Sequence, residues 1–502
     1  MRSAPTFPFI WMLLLAVYAC SASPDNDGRE GFVEFESVQT DLFAEPGAQP
    51  NAWADYDNDG DLDLFVGRRG GANRLYRNDD GFFLDVAADV GLNDTTDTRA
   101  AAWGDYDADG DLDLYIGFPA QANTPNRLFR NEGDGEAFFD VAEQYGVDLV
   151  GTTRQPVWVD YDQDGDVDLF VAFRDQPNRL FRNDGRAFVD VTDAAGIGDP
   201  RRTVGVVWFD MDEDGDLDLH VSNQNGDEDS FFRYDGEGRF TDVAAALGMN
   251  WPDRGDEYGS VGPAVTDYDN DGDLDLFIAT YGPDVLWENR GGGFFVNVAP
   301  GTPLGPDHHS TTAAWGDVDN DGRPDLFVAA YLNSVAEEPD NLFANTPTGF
   351  KDMTPSPLLA KGASHGVSFA DFDQDGDLDL ALANNNAAGT HPLYRNLLAP
   401  EVARQSVQVA VLSANGRWTK AGSEVRLFDE ATDQLLGTRL TDTGGGYCSQ
   451  GATPVHFGLG EGVERVRVEV TSFREGQREI TSVNGIVVRD QAGRPVPVRV
   501  PG

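Results

Sequence analysis

Short apolar runs separated by tight polar turns recur along most of the chain, and they fall into a repeated order. An apolar or aromatic residue stands two places before each of seven aspartate-rich loops: Trp53, Trp103, Trp158, Trp208, Val265, Trp315 and Phe369. A strand is therefore predicted to feed each loop. The loop is followed by an apolar run, as at residues 62–66 and 274–278, which predicts a second strand. Residues 73–78, 126–131 and 178–183 share an Asn-Arg-Leu-aromatic-Arg-Asn pattern and predict a third. Residues 83–86, 138–141 and 240–243 predict a fourth.

The loops begin at Asp55, Asp105, Asp160, Asp210, Asp267, Asp317 and Asp371, so the repeat length is 50 to 57 residues. That is enough for four short strands and their turns, the size of one propeller blade. The seventh repeat ends at residues 393–396 without a fourth strand, whereas residues 32–38, ahead of the first loop, carry the fourth-strand pattern. Pairing that displaced strand into the last repeat closes a ring and removes exposed sheet edges. An open solenoid is the alternative, and it gives the displaced strand no purpose. The expectation is an all-β fold: a seven-bladed β-propeller over 32–400, then a smaller β-rich, sandwich-like domain over 401–502, where the acidic loops cease and valine-rich strands such as 406–412 and 466–470 appear.

Within each loop, carboxylates stand at positions 1, 3, 5 and 9 and glycine at position 6. A hard divalent cation takes six to eight oxygens, which a tight loop with ligands on alternate residues can supply, with the position 7 carbonyl added. The candidate metal residues are Asp55, Asp57, Asp59, Asp61 and Asp63 in the first loop, and Asp105, Asp107, Asp109, Asp111 and Asp113 in the second. The third and fourth supply Asp160, Asp162, Asp164, Asp166, Asp168, and Asp210, Asp212, Asp214, Asp216, Asp218. The fifth supplies Asp267, Asp269, Asp271, Asp273 and Asp275, and the sixth Asp317, Asp319, Asp321, Arg323 and Asp325. The seventh supplies Asp371, Asp373, Asp375, Asp377 and Asp379. The first half resembles an EF-hand loop, but position 12 is Val66 in a strand, not a bidentate glutamate. Simple Asp-Gly turns are the competing reading, yet carboxylates this close repel one another without a counter-ion. Calcium is expected over magnesium, up to seven ions, because a many-oxygen wrap suits the larger cation. The sixth site should be the weakest, since Arg323 at position 7 puts a cation beside the ion.

These loops and strand signatures resemble FG-GAP/VCBS repeats, the blade units of integrin α-subunit propellers and of many bacterial surface proteins. The resemblance spans about residues 32–397 and implies a calcium site between the first two strands of each blade. Residues 420–425, 444–450 and 456–460 resemble the ASPIC/UnbV domain, and the pairing is similar to the cartilage acidic protein family. That resemblance implies an architecture more than an activity.

Charge and the chain ends narrow the function. A net charge of -51, from 87 acidic against 36 basic residues, excludes nucleic acid as the main partner. Arg2, an apolar run over 7–19 and small residues near Cys20 read as a signal peptide over 1–23, followed by a flexible tether over 24–31. Residues 17–20 are similar to a lipobox, so the chain is expected to be exported, either secreted or held at the outer membrane or cell surface by a lipid on Cys20, its one expected membrane contact. Cys448 is the only other cysteine. Cys448 and His456 lack a third partner at a recognisable spacing and read as structural. The leading expectation is a non-catalytic calcium-binding propeller for adhesion or for a glycan or protein ligand. The alternative is a calcium-dependent polysaccharide lyase or hydrolase, with His308, His309 and His365 near one mouth of the ring.

Overall fold

The structure, a computed structural model, describes residues 33–501 except 121–122, 134, 332–338, 360–362, 386–389, 414–421, 442–443, 445, 452–453, 475 and 492. The expected signal peptide, tether and Cys20 lie outside the described residues. The fold is all-β with repeated four-stranded sheets. In the second repeat the antiparallel order is Ala100–Gly104, Asp113–Gly117, Arg127–Glu132 and Ala137–Asp140. The third to sixth repeats follow the same consecutive order, and the first adds a fifth strand described below. The seventh takes its outer strand from the other end of the described chain: Phe35–Ser37 pairs with Leu393–Asn396, Phe35 opposite Asn396 and Ser37 opposite Tyr394.

Each loop of nine residues joins the first two strands of its sheet, because the ninth aspartate is already the first residue of the second strand, as in Asp63–Arg68 and Asp168–Phe173. A feature that the hydrophobic pattern did not predict follows the fourth strand. A single helical turn forms at Ala87–Val90, Ala142–Tyr145, Thr192–Ala195 and Ala244–Leu247, each ended by a left-handed glycine. The fourth-strand aspartate accepts the backbone N–H of the turn's first residue, Asp85 from Ala87 at 3.2 Å, and so starts it.

The tryptophan two places before the loop packs between repeats. Trp103 stacks on Tyr56 of the preceding repeat at 6.3 Å, Trp158 on Tyr106 at 6.4 Å and Trp315 on Tyr268 at 6.3 Å. Trp53 of the first repeat stacks in the same way on Phe372 of the seventh, at 6.5 Å. The indole N–H groups of Trp103 and Trp158 donate to Ala52 and Ala102 carbonyls in the preceding first strands. Full burial of such rings stabilises by about 2–3 kcal/mol each. Gly104 is required here, since a β-carbon on it would lie 2.5 Å from the Trp158 ring. First strands of successive repeats pack on one another, and Ser364–Ala370 of the seventh packs on Ala48–Ala54 of the first.

The valine-rich C-terminal strands make two sheets. One holds Val455–Gly458, Ser406–Leu412 and Val496–Arg499; the other holds Leu435–Leu440, Glu424–Asp429, Arg465–Arg474 and Gln477–Val487. They share one core, including Val409, Leu427, Phe457 and Val468. One short strand leaves them. Ser449–Gln450 pairs in parallel with the first strand of the first repeat, Asn51 opposite Ser449. The segment around it touches all seven repeats. The Cys448 carbonyl accepts from Asn51 N–H, Gln450 exchanges two bonds with the Trp103 backbone, and Gln155 donates to Gly444. Tyr447 packs on Val204 and Val261, its N–H donates to Thr312, and Gly366 is glycine because a β-carbon there would sit 2.6 Å from the Cys448 carbonyl.

His391 links the seventh repeat to the first. It lies against Tyr76 Oη at 2.6 Å and the Glu45 carbonyl at 2.8 Å, which suits a neutral ring donating through Nδ1 and accepting through Nε2. Burial pushes its pKa down to about 4, with Arg68 adding to the effect against the Glu45 carbonyl. The unfolded chain binds this proton near pH 6.5 and the fold refuses it, so the contribution of neutral His391 is complete above pH 6.5 and is lost as the pH falls toward 4. Compared with His391→Gln in urea unfolding, the parent should lose about 2 kcal/mol of relative stability between pH 7 and pH 5. A pH-independent difference would remove His391 as a titrating element of the fold.

Candidate metal loops and their neighbours

The seven loops share one hydrogen-bond pattern. The carboxylate at position 9 is buried and accepts two backbone N–H groups. One comes from position 2 of its own loop (Tyr56 to Asp63 at 3.3 Å, Tyr161 to Asp168 at 3.1 Å), the other from the end of the third strand (Asn78 to Asp63 at 2.8 Å, Asn183 to Asp168 at 2.7 Å). The position 1 carboxylate accepts the N–H of the position 6 glycine, Gly60 to Asp55 at 3.2 Å. The position 5 carboxylate accepts the N–H of position 7, Asp61 to Asp59 at 2.9 Å. The glycine is needed for conformation, with φ between 97° at Gly322 and 109° at Gly272. Position 4 is also left-handed although no glycine stands there: Asn58 has φ 57°, Gln163 62° and Gln374 57°.

This pattern leaves carboxylate oxygens facing the loop interior. Oδ1 of Asp55 and Oδ1 of Asp57 are buried without a hydrogen-bond partner, as are Oδ1 of Asp162, Asp212 and Asp373 at position 3. Single oxygens of Asp55, Asp57 and Asp63 lie within 4.8 Å of one another, and so do those of Asp105, Asp107, Asp113 and of Asp210, Asp212, Asp218. In the fifth loop the converging set is Asp267, Asp269 and Asp271. Ligands 2.3–2.6 Å from one calcium ion can be no more than about 5 Å apart, so the trios have the right span.

Position 7 side chains do something else. Asp61 accepts from Gln374 and from the Asp80 N–H, Asp111 from Asn58, and Asp216 from Gln163. The position 4 side chain thus reaches the next repeat, and Gln374 carries the link from the seventh repeat to the first. In these three loops the position 7 side chain is engaged elsewhere, whereas in the seventh loop Oδ1 of Asp377 is buried without a hydrogen-bond partner. In the sixth loop Arg323 folds back onto Asp321 Oδ2 at 2.6 Å and donates to the Asn345 carbonyl, so its charge rests on the position 5 carboxylate.

Burial pushes the pKa of Asp63 up to about 9 and that of Asp55 to about 7, and the neighbouring aspartates push in the same direction. Asp57 is raised to about 6 by burial and by Asp59. Asp275 reaches about 9, and Asp113, Asp168, Asp218, Asp325 and Asp379 are raised well above the carboxylate range, burial leading in each. A group of acids held away from water and close together disfavours its own ionised form, and a bound cation is what reverses that preference. The residues present fit a hard divalent cation.

Two contributors escaped the sequence pattern. The asparagine ending the third strand donates its amide to two carbonyls, one at position 8 of its own loop and one at position 2 of the preceding loop: Asn78 to Leu62 and Phe372, Asn131 to Leu112 and Tyr56. Its recurrence at Asn78, Asn131 and Asn183 was the available signal. The C-terminal sheets meet the loops as well. Gln408 donates to Asp371 Oδ2 at 2.5 Å, Thr438 N–H to Asp267 Oδ2 at 3.1 Å, and Arg478 lies 3.6 Å from Asp210 Oδ2. Arg478 also pairs with buried Glu424 at 2.7 Å. His456 is half-buried against the Gly376 carbonyl, Cys448 donates to the Arg99 carbonyl, and burial raises the thiol pKa. His309 stacks on Tyr281 at 4.4 Å, and buried His365 lies 5.4 Å from Tyr331. His308 turns away toward Pro303.

The family model for the FG-GAP-like repeat matches residues 55–116, 160–221, 210–278 and 267–328, each match running from one aspartate loop through the strand after the next. The chain carries FG-GAP-like repeats. No curated protein matches the sequence. Among solved structures the chain is similar to BBS1N in complex with ARL6DN. The mercury-soaked crystal gives 11% identity and TM-score 0.44, over 72% of this chain and 96% of that one. The lead-soaked crystal gives 11% and 0.46, over 72% and 97%. It is also similar to an Agrocybe aegerita lectin described for specific recognition of non-reducing terminal N-acetylglucosamine, at 15% identity and TM-score 0.38, over 70% of this chain and 90% of that one.

The FG-GAP-like repeats and the C-terminal sheets are in tight contact at Gly458. A β-carbon there would collide with the Asp317 carboxylate and come within 2.6 Å of Asn320 Cα. Gly458→Ala should therefore cost about 1–3 kcal/mol in urea unfolding, the range for overpacking a tight contact. An unchanged midpoint would show that this contact is loose in solution.

Proposed function

We propose that the chain is an exported, non-catalytic calcium-binding protein, built as a seven-bladed β-propeller, that binds a glycan or protein ligand at the cell surface. The observation that carries the calcium assignment is the pair of buried, unpartnered oxygens on Asp55 and Asp57, converging with Asp63. Up to seven such sites, one per blade, would hold carboxylates that otherwise repel one another. The ring reading is supported by the links from seventh to first repeat through Gln374, Asn78, Trp53 and the Phe35–Ser37 strand. The C-terminal part is read as an ASPIC/UnbV domain, and each of the three sequence stretches behind that reading meets the repeats. Gly422 packs on Leu217, Gly444 and residues 446–450 run among the first strands, and Gly458 abuts Asp317. Export rests on the N-terminal sequence, with Cys20 as the residue for a lipid. No helix among the described residues is long and apolar enough to cross a membrane.

The binding reading is favoured over the polysaccharide lyase or hydrolase by the state of His365. Burial pushes its pKa down to about 3, which ill suits a proton donor at neutral pH.

Elemental analysis of the purified full chain should find calcium, and excess chelator should lower the melting temperature. Each site saturated at about 100 times its Kd stabilises the fold by about 2.7 kcal/mol. No bound metal and an unchanged melt would overturn the assignment. The positions can be told apart by calcium titration. Asp57→Asn should lose one ion per chain, whereas Asp61→Asn, whose carboxylate points toward the neighbouring repeat, should retain the full count. The same count in both variants would remove Asp57 as a ligand.

A further inference from the structure

The first strands run toward the aspartate loops, and their starting ends make the opposite end of the same assembly. Six residues before the first aspartate, the second and third repeats place Arg99 and Arg154 there, with His365 in the seventh. Both guanidiniums turn to one atom: Arg154 donates to Tyr447 Oη at 2.9 Å, Arg99 donates to the same oxygen, and the Arg99 guanidinium carbon lies 5.3 Å from the ring centre. Tyr447 is thus a floor supplied by the C-terminal segment, apolar where it meets Val204 and Val261 and polar where it meets the arginines.

The charge balance at this point is unusual for a chain of net charge -51. Among the described residues neither arginine forms an ion pair with a carboxylate. The Nε of Arg99 and the Nε of Arg154 are buried without a partner, and Arg154 is only 7% exposed. Other buried arginines are matched: Arg254 pairs with Asp229 at 2.9 Å, and Arg68 pairs with Glu45. For Arg99 and Arg154, burial depresses the charged form, and each is further disfavoured by Arg174 nearby. Two uncompensated cations side by side cost several kcal/mol unless an anion joins them. Aromatic groups stand beside the two arginines. His365 lies 5.9 Å from Tyr447 and 5.4 Å from Tyr331, and half-buried Tyr331 lies 6.0 Å from Tyr281.

We infer that this pair of arginines binds an oxyanion, the carboxylate or sulfate of an acidic saccharide, held between Arg99 and Arg154 beside Tyr447, with the sugar against the Tyr281 and Tyr331 rings. Guanidinium groups match such oxyanions through paired N–H donors, and aromatic faces take the apolar face of a sugar ring. The saccharide part deepens the glycan reading proposed above and rests on it; the anion site rests on the arginines alone.

The test is isothermal titration of the full, calcium-loaded chain with trigalacturonate, with the neutral galactose trisaccharide of the same linkage, and with inorganic sulfate. Trigalacturonate should bind at least tenfold more tightly than the neutral sugar and weaken with added salt. Arg99→Gln and Arg154→Gln should each lower that affinity at least tenfold, and Tyr331→Ala should weaken trigalacturonate but not sulfate. A melt of each variant checks folding, and Arg99→Lys, which keeps the charge and loses the paired donors, serves if Arg154→Gln does not fold. Equal affinity for acidic and neutral sugars, or binding unchanged in folded arginine variants, would overturn the site while leaving a glycan-binding role elsewhere intact. Arginine-dependent binding of sulfate with no trisaccharide bound would overturn the saccharide assignment. Failure of all three probes would overturn the anion site itself.

Discussion

Each repeat depends on one buried carboxylate, the aspartate at position 9, which accepts a backbone N–H from its own loop and another from the third strand. The arrangement ties the loop to the sheet behind it through both oxygens of one side chain, and it sets the direction in which the other aspartates can point. With position 9 anchored and position 1 held by the glycine amide, the oxygens of positions 1 and 3 have nowhere to go but inward. Burial then makes their ionised forms costly, and the loop is left needing either protons or a cation.

The links between repeats are built from the same loops. At Tyr56, Tyr106, Tyr268 and Phe372 position 2 supplies an aromatic ring to the next tryptophan, and Tyr56 gives its carbonyl to the next asparagine; where position 4 is Asn or Gln it reaches across to position 7 or its neighbours. An ion held in one loop would therefore stiffen two interfaces. Local site and global packing are coupled through shared backbone, so a cation in one loop would be felt by its neighbour as well.

The electrostatics divide along the first strands. At their far ends stand the aspartate loops, touched by Arg478, Gln408 and Thr438 from the C-terminal sheets. At their near ends stand Arg99 and Arg154, converging on Tyr447. The segment carrying Tyr447 passes between these two environments, bonded to the backbone of Asn51 and Trp103 on the way. It gives the C-terminal part a role inside the repeats and not merely beside them.

Much of this was legible in the sequence because it is local. A nine-residue loop with carboxylates on alternate positions and one obligatory glycine carries its geometry in its own spacing, and the period-two apolar runs around it give the four strands. The displaced strand at 35–37 could be expected because the seventh repeat visibly lacked a fourth. The left-handed conformation at Asn58 and Gln374 could not be, since no glycine marks it. Nor could the placement of Tyr447. In the sequence, residues 444–450 carry only a resemblance to the ASPIC/UnbV domain, and nothing in the repeat pattern marks Arg99 or Arg154. Their meeting spans sequence separations of 348 and 293 residues, and no pattern of neighbours encodes it. Local hydrogen-bonding requirements determined the loops from sequence; packing between distant segments, which brings those two arginines onto one phenol, was decided only in the tertiary structure.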